Sequence, residues 1–140
     1  MPVVGLTLQK IEAKKKTDLD GGVKVKTNTK IENVEKKKLP GLKQDSLSIS
    51  FEYKAEYVSE ANENKRIADI VINGRILLVD EKYEEIYDKW QKDKLLSEEV
   101  SILVINALLD KCTKKALMLS DDLQLPPPIQ LPYAAKKKEE

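Results

Sequence analysis

Hydrophobic and polar residues alternate along most of the first half of the chain, which is the pattern of β-strands with one buried face. The clearest run is 46–58, where Leu47, Ile49 and Phe51 are separated by serine and charged residues. Three further stretches, 3–15, 23–37 and 65–79, carry the same period of two. Turn-forming residues lie between them, so the pattern predicts four strands.

The phase of the alternation changes once within each of the first two strands. Leu6 and Leu8 share one face of the first strand, whereas Ile11 and Ala13 follow in the opposite phase. In the second strand, Val34 is out of step with the residues before it. One extra residue in a strand shifts the phase in this way, so we expect a β-bulge in each.

The dipeptide Asn73-Gly74 interrupts the fourth stretch and allows two interpretations. Asn-Gly is a favoured hairpin turn, but a hairpin here would have very short arms. A glycine within a strand also marks a bend or a close approach of another segment. We favour the second interpretation, in which 65–79 is one long strand.

The hydrophobic period becomes helical after residue 80. Tyr83, Ile86, Tyr87 and Trp90 follow the i, i+3, i+4, i+7 spacing of one helix face. Asp80 can cap this helix, and acidic residues follow in its first turn, where the helix dipole favours them. A short amphipathic helix is therefore expected after the fourth strand.

A longer helix is predicted from Ser97, which can act as its N-cap, to about Ser120. Its hydrophobic residues occupy more than one face, so it must be covered by more than one surface. Its main stripe consists of Val100, Leu103, Val104, Ala107, Leu108 and Cys112, and it is widened by Ile102, Ile105 and Leu109.

The segment after the long helix, 123–133, is rich in leucine and proline. Each proline fixes its own φ and keeps the preceding residue out of the helical region, so the segment must be extended. Its apolar side chains either dock on the chain's own sheet and complete the core, or form the wall of a groove.

Residues 134–140 are expected to form a disordered, charged tail after a single domain that spans 1–133.

Composition and charge argue against several classes of partner. Lys+Arg (25) and Asp+Glu (24) nearly cancel in this 140-residue chain, so no strong field would attract nucleic acid or anionic lipid. The apolar runs are too short to span a bilayer, and the N-terminus lacks a signal-peptide pattern, so we expect a cytoplasmic protein. Lysine runs leave nucleic-acid binding as an alternative, but no aromatic residues are interleaved with them for base stacking.

No catalytic or cofactor-binding motif is present in the sequence. The chain has no histidine and one cysteine, so it lacks the usual zinc ligands and a base for a reactive thiol. None of its five glycines lies in a phosphate-binding loop. We therefore expect neither enzyme activity nor a cofactor or metal. The amphipathic sheet, the apolar helix and the Leu/Pro segment instead have more apolar surface than one core buries, which predicts a subunit interface or a binding groove.

The order of these elements resembles the SecB family of export chaperones, which are tetrameric and hold unfolded preproteins. The resemblance covers residues 3–133 and begins at Leu6-Thr7-Leu8-Gln9-Lys10-Ile11, which is similar to the family's first strand. The later strands and the long helix follow in the family's order. The most specific match is Leu123-Gln124-Leu125-Pro126-Pro127-Pro128-Ile129, which resembles the family's loop after its main helix.

The resemblance implies an α+β fold in which a four-stranded antiparallel sheet is followed by a short and a long helix. In this family two protomers pair their sheets into a dimer, and dimers pack through the long helix. The implied oligomer interface consists of Val100, Leu103, Val104, Ile105, Leu108 and Cys112. The implied client-binding residues are Phe51, Tyr53, Tyr57, Leu123, Leu125, Ile129 and Leu131.

The predicted function is that of an ATP-independent holdase in protein transport. As a homo-oligomer, a dimer or tetramer, it would bind exposed apolar segments of unfolded polypeptides or preproteins, because burial of apolar side chains requires no sequence code. The alternative is a dedicated adaptor that binds one protein partner with the same groove. Family members are typically acidic, which suits docking to the SecA motor, whereas this chain is nearly neutral, so delivery to SecA is not part of the prediction.

Overall fold

The computed structural model describes residues 3–17, 21–38, 40–41, 45–62 and 64–129. Its elements in chain order are β1 (Val3–Lys15), β2 (Val23–Lys37), β3 (Ser46–Ser59), β4 (Arg66–Leu78), α1 (Tyr83–Asp93) and α2 (Glu98–Asp122). The predicted α+β fold, with four strands followed by a short and a long helix, is confirmed. The tail predicted at 134–140 lies outside the described residues.

The strands form one antiparallel sheet in the order β1-β4-β3-β2, so β1 and β2 are its two edges. The inward side chains of the central strands β3 and β4 are buried, as at Ile49, Phe51, Ile70 and Ile72. On the outward face, serine and charged residues of β3 alternate with them, as the sequence pattern predicts. One face of the sheet therefore carries the core.

Both predicted bulges are present in the edge strands. The register of β1 against β4 shifts between Leu8 and Lys10, and that of β2 against β3 shifts between Ile31 and Asn33. Because of the first shift, Leu8 and Ile11 pair with inward positions of β4 although they are three residues apart in sequence. The bulges thus keep Leu8 and Ile11 of β1, and Ile31 and Val34 of β2, opposite inward positions of the neighbouring strands.

Gly74 lies inside one continuous strand, as the favoured interpretation of Asn73-Gly74 predicts. Its register partners are Leu8 in β1 and Phe51 in β3. A Cβ atom at this position would lie 2.5 Å from the carbonyl oxygen of Thr7 and 2.8 Å from Cζ of Phe51. The Phe51 ring therefore occupies the space that a side chain at position 74 would need.

The two helices cover the inner face of the sheet. α1 contacts β2 and β3, and α2 crosses β1, β3 and β4. Every fourth residue of α2 is buried, and each step of four residues turns the contact line by about 40° around the helix axis. The line of residues that contact the sheet therefore winds around α2 along its length. The broad apolar stripe in the sequence does not reveal this winding. The buried residues of α2 are Val100, Val104, Leu108, Cys112, Ala116 and Ser120.

The helix ends follow the sequence signals in part. The Ser97 hydroxyl accepts a hydrogen bond from the Val100 amide at 3.4 Å, so the predicted N-cap of α2 is confirmed. The predicted cap of α1 is wrong, because α1 begins at Tyr83 and the Asp80 carboxylate instead accepts from the Lys82 amide at 2.7 Å in the preceding turn.

The C-terminal end of α2 turns the chain sharply back to the sheet. Gln124 adopts a left-handed backbone conformation, with φ of 56°. The Gln124 amide donates to the Asp121 carbonyl and the Leu125 amide to the Ser120 carbonyl, which is the pattern of a Schellman motif. This motif places Leu125 over the core rather than in solvent.

Candidate functional site

The aromatic side chains that the sequence suggested for client binding line the inner face of β3. Phe51, Tyr53 and Tyr57 are 0–1% exposed, so they form part of the protomer's own core. Burial raises the pKa of the Tyr57 phenol to about 12, and it also raises the pKa of Tyr53, with a smaller contribution from nearby Cys112. A client could reach these rings only if the helix layer moved, so their role in client binding stays a prediction.

The segment after α2 docks on the sheet through one side chain and one hydrogen bond. Leu125 is 7% exposed, and the Tyr57 hydroxyl donates to the Pro126 carbonyl at 2.6 Å. Leu123 is half-buried and Ile129 is 43% exposed, so these two side chains reach the surface. Leu131 lies outside the described residues. The structure thus brings Leu125 into the core, and client binding by this segment stays a prediction.

The helix residues that the sequence suggested for an oligomer interface divide into two groups. Val100, Val104, Leu108 and Cys112 are buried against the chain's own sheet, and burial raises the pKa of the Cys112 thiol to about 11, which keeps it neutral. The other two members, Leu103 and Ile105, are half-buried, so part of each side chain reaches the protein surface.

A different side of α2 carries apolar residues that no other element of the described chain covers. Ile102 and Leu109 are exposed, and they share one helix face with the half-buried Ile105 at i, i+3 and i+7. A second protomer could reach this surface without disturbing the core. The position of an oligomer interface on α2 stays a prediction.

A groove that the sequence did not predict lies where α1, α2 and the connector between them meet β2. It is an open cleft with a volume of about 210 Å³. The only sequence signal for it is the pair Leu95-Leu96, which places two apolar residues in the connector; Leu95 is 60% exposed. We name it the β2 groove, and its lining residues are Thr29, Ile31, Trp90, Lys94, Leu95, Leu96, Ser101 and Ile105.

The β2 groove has a mixed lining, in which apolar side chains lie beside Thr29, Ser101 and Lys94. Trp90 is buried in its wall, and the indole Nε1 has no hydrogen-bond partner among the described residues. The Lys94 ammonium lies 5.9 Å from the centroid of the Trp90 ring, and Lys94 is the only ionisable residue among the described residues of the lining. The groove therefore offers apolar side chains, two residues with hydroxyl groups and one positive charge.

The size of the cavity limits what the groove can hold. Pockets for drug-sized molecules and cofactors usually enclose roughly 300–1,000 Å³, whereas a cavity of about 150 Å³ holds a benzene molecule. At about 210 Å³, the β2 groove suits one large apolar side chain with its peptide group better than a whole cofactor. Within the described ranges no cluster of His, Cys, Asp or Glu could hold a metal ion.

Many lysines on the outward face of the sheet are engaged with carboxylates. The Glu12 carboxylate lies 3.1 Å from the Lys14 ammonium and 3.6 Å from that of Lys10, and the hydrogen bond from Lys14 lowers the pKa of Glu12. The Glu56 carboxylate lies 2.9 Å from the Lys54 ammonium, and this hydrogen bond lowers the pKa of Glu56. Of these lysines, Lys14 belongs to the lysine run 14–16, so at least one residue of that run is paired with a carboxylate. In the part of the chain that the structure describes, neither helix is long and apolar enough to cross a membrane.

Comparison with known proteins identifies the fold. No protein-family model matches the chain, and no curated protein matches it either. Among solved structures, the SecB-like chaperone Rv1957 of Mycobacterium tuberculosis, in complex with a ChAD peptide from the antitoxin HigA1 (Rv1956), is similar, with a TM-score of 0.59 at 13% sequence identity. The match covers 98% of this chain and 92% of that chain, so the chain has the fold of a SecB-like chaperone.

Proposed function

We propose that this protein is a chaperone that holds extended segments of non-native polypeptides without the use of a nucleotide. The observation that carries this proposal is the β2 groove, a partly apolar cleft directly beside an edge strand. Burial of apolar side chains contributes roughly 25 cal/mol per Å², and an edge strand can add backbone hydrogen bonds to an extended chain. Neither interaction depends on a particular client sequence, which suits a holdase.

The fold comparison supports a polypeptide ligand and also favours a second candidate. The SecB-like neighbour was solved with a peptide that comes from one antitoxin. A protein of this fold could therefore serve one dedicated partner rather than many unfolded chains. The adaptor and the general holdase would use the same groove and differ in how many clients they accept.

The test of the proposed function is suppression of aggregation. We expect substoichiometric protein, without nucleotide, to slow the aggregation of several unrelated, chemically unfolded clients, measured by light scattering. Unchanged aggregation of every client would exclude a general holdase. In that case, a single dominant partner in a pull-down would identify an adaptor.

We further propose that the protomers assemble through the exposed face of α2 around Ile102 and Leu109. Ile102→Lys is expected to convert a dimer or tetramer to a smaller species, because a lysine in a closed apolar interface leaves an unpaired charge. The molar mass from multi-angle light scattering at micromolar concentration measures this change. The circular dichroism spectrum should keep its native form, because Ile102 is exposed in the protomer and its substitution leaves the protomer core intact.

Met118→Lys is the matched control for the assembly test. Met118 is also an exposed residue of α2, but it lies about 160° around the helix from Ile102. Its substitution should leave the molar mass unchanged. If the unmodified protein is already a 15.9 kDa monomer, the assembly proposal is wrong.

A further inference from the structure

We infer that Asn73 is a modification site, at which the side-chain amide is converted to a carboxylate by deamidation when β4 opens. The folded sheet suppresses this reaction, and the isoaspartate product prevents the chain from forming the same sheet again. Deamidation therefore removes opened molecules irreversibly. The reaction does not depend on the proposed function.

The sequence makes Asn73 chemically reactive, because it is the only asparagine of the chain that a glycine follows. No side chain at residue 74 hinders attack of the Gly74 backbone nitrogen on Cγ of Asn73. A bond forms between these two atoms and closes a five-membered succinimide ring. The side-chain nitrogen leaves as ammonia and takes up the proton that the Gly74 nitrogen loses. Water then opens the ring at either carbonyl group, so the products are aspartate and isoaspartate.

The packing of the sheet keeps glycine at the second position of this reactive pair. A Cβ atom at residue 74 would lie 2.5 Å from the Thr7 carbonyl oxygen and 2.8 Å from Cζ of Phe51. A side chain that would slow the reaction therefore has no space there. The reactive pair follows from the close contact between β4 and its two neighbours, so the chain can protect Asn73 only through its conformation.

The conformation of β4 prevents ring closure in the folded protein. β4 lies between β1 and β3, and Asn73 has a register partner in each, Lys10 and Glu52. The ring can close only after ψ of Asn73 rotates out of the extended region of a strand. The amide is also held in place, because Nδ2 of Asn73 donates to Oε1 of Glu32 at 3.1 Å. The reaction thus requires opening of a central strand, which is a rare motion in a folded domain.

Conversion of Asn73 to aspartate is the milder of the two changes. A carboxylate cannot donate to Glu32, so the hydrogen bond is replaced by repulsion between two acidic groups. Neighbouring basic residues offset part of this repulsion. The outward positions around residue 73 carry charges of both signs, on Lys10, Glu12, Glu52, Lys54 and Arg75.

Conversion to isoaspartate is the more severe change, because the main chain then runs through the former side chain. This lengthens β4 by one carbon atom between residues 73 and 74, at a point where both neighbouring strands are paired with it. The backbone groups of β4 can then no longer keep their register with β1 and β3 at the same time. A chain that carries isoaspartate at residue 73 should therefore fail to form the native sheet.

The first experiment compares the rate of deamidation in the folded and unfolded full-length protein. Both samples are aged in the same mildly alkaline buffer, one of them in guanidinium chloride, and peptide mapping by mass spectrometry measures the loss of the Asn73 amide. We expect the folded protein to react at least about a hundredfold more slowly, because only opened molecules react. The other asparagines are internal controls and should react far more slowly than Asn73 in the unfolded sample. Equal rates at Asn73 in the two samples would overturn the inference.

A matched pair of variants tests whether opening of the sheet controls the reaction. Leu125→Ser should accelerate deamidation in the absence of denaturant by at least about tenfold, because Leu125 is 7% exposed and its loss raises the opened population. Ile129→Ser, at a side chain that is 43% exposed, should leave the rate unchanged. Neither residue belongs to the sheet, so an effect on Asn73 would be transmitted through opening. An unchanged rate in a variant of lower melting temperature would mean that the intact sheet reacts, and the inference would be wrong.

The last experiment tests whether the modification is irreversible for the fold. Protein aged in guanidinium chloride is returned to buffer, and the soluble, folded fraction is compared with the whole sample by peptide mapping. We expect isoaspartate at residue 73 to be depleted from the folded fraction by at least about tenfold. Asn73→Gln should refold fully after the same treatment, because its longer side chain closes a six-membered ring much more slowly. Equal proportions of isoaspartate in the two fractions would show that the sheet accepts the modified backbone and would overturn the inference.

Discussion

Gly74→Ala is expected to lower the free energy of unfolding by about 3 kcal/mol, although it adds only one methyl group. The added carbon would meet a backbone oxygen, that of Thr7 at 2.5 Å, and the Phe51 ring at 2.8 Å. Neither can yield easily, because the oxygen belongs to β1 and the ring is buried between sheet and helices. For a chain of this length, the loss corresponds to a decrease in melting temperature of about 10 °C, measurable by circular dichroism.

Gly5→Ala is the control, because Gly5 also lies in a strand of the same sheet. Its added carbon would have Leu77 Cδ1 as nearest neighbour at 3.7 Å, an ordinary van der Waals distance. The melting temperature should therefore change by no more than a few degrees. Equal losses in the two variants would mean that the close approach of Phe51 to the sheet backbone is not what requires glycine at position 74.

The strands could be predicted from the sequence because their pattern is local. Alternation shows which side chains share a face, and a change of phase shows where a residue is inserted, so the bulges near Leu8 and Ile31 follow from the sequence alone. The interpretation of Asn73-Gly74 as part of one strand also followed from a local argument, since a hairpin there would have had arms too short to pair. None of these predictions required knowledge of which residues contact each other in the folded chain.

The sequence could not predict in the same way which parts of the chain cover the inner face of the sheet and the apolar faces of α2. The period of β3 places Phe51, Tyr53 and Tyr57 on one side of the sheet, but it does not say whether the same chain or a client covers them. The structure shows that α2 and the segment after it do so within the protomer. Likewise, the periodicity of α2 gives a broad apolar stripe, and only the crossing of three strands decides which of its residues are buried.

The β2 groove was missed for a related reason. It is formed by residues from three separate parts of the chain, including Ile31, Trp90 and Ile105. Each of them fits an ordinary core position in its own helix or strand. Only the way in which the short connector after α1 returns toward β2 leaves a cavity between them, and such a closure has no periodic signal. The adjacent leucines Leu95 and Leu96 in the connector were the single sequence signal.

Leu125→Ser is expected to destabilise the protein by about 3 kcal/mol, with a decrease in melting temperature of about 10 °C. Leu125 is 7% exposed, and its side chain follows the Schellman turn that directs the chain onto the sheet. Removal of this side chain takes apolar contacts from the core and weakens the position of Pro126, which accepts the Tyr57 hydrogen bond. Thermal and urea unfolding of the variant measure the loss.

Ile129→Ser is the control for this change, because Ile129 belongs to the same segment but is 43% exposed. Its substitution should leave the melting temperature within a few degrees and, if the segment also contacts clients, should weaken client binding. The opposite result, in which Leu125→Ser melts normally but binds clients poorly, would show that the segment is a groove wall rather than part of the core. Of the inward aromatic residues of β3, Tyr57 would then be the one that a client could reach, since its hydroxyl donates to the Pro126 carbonyl of this segment.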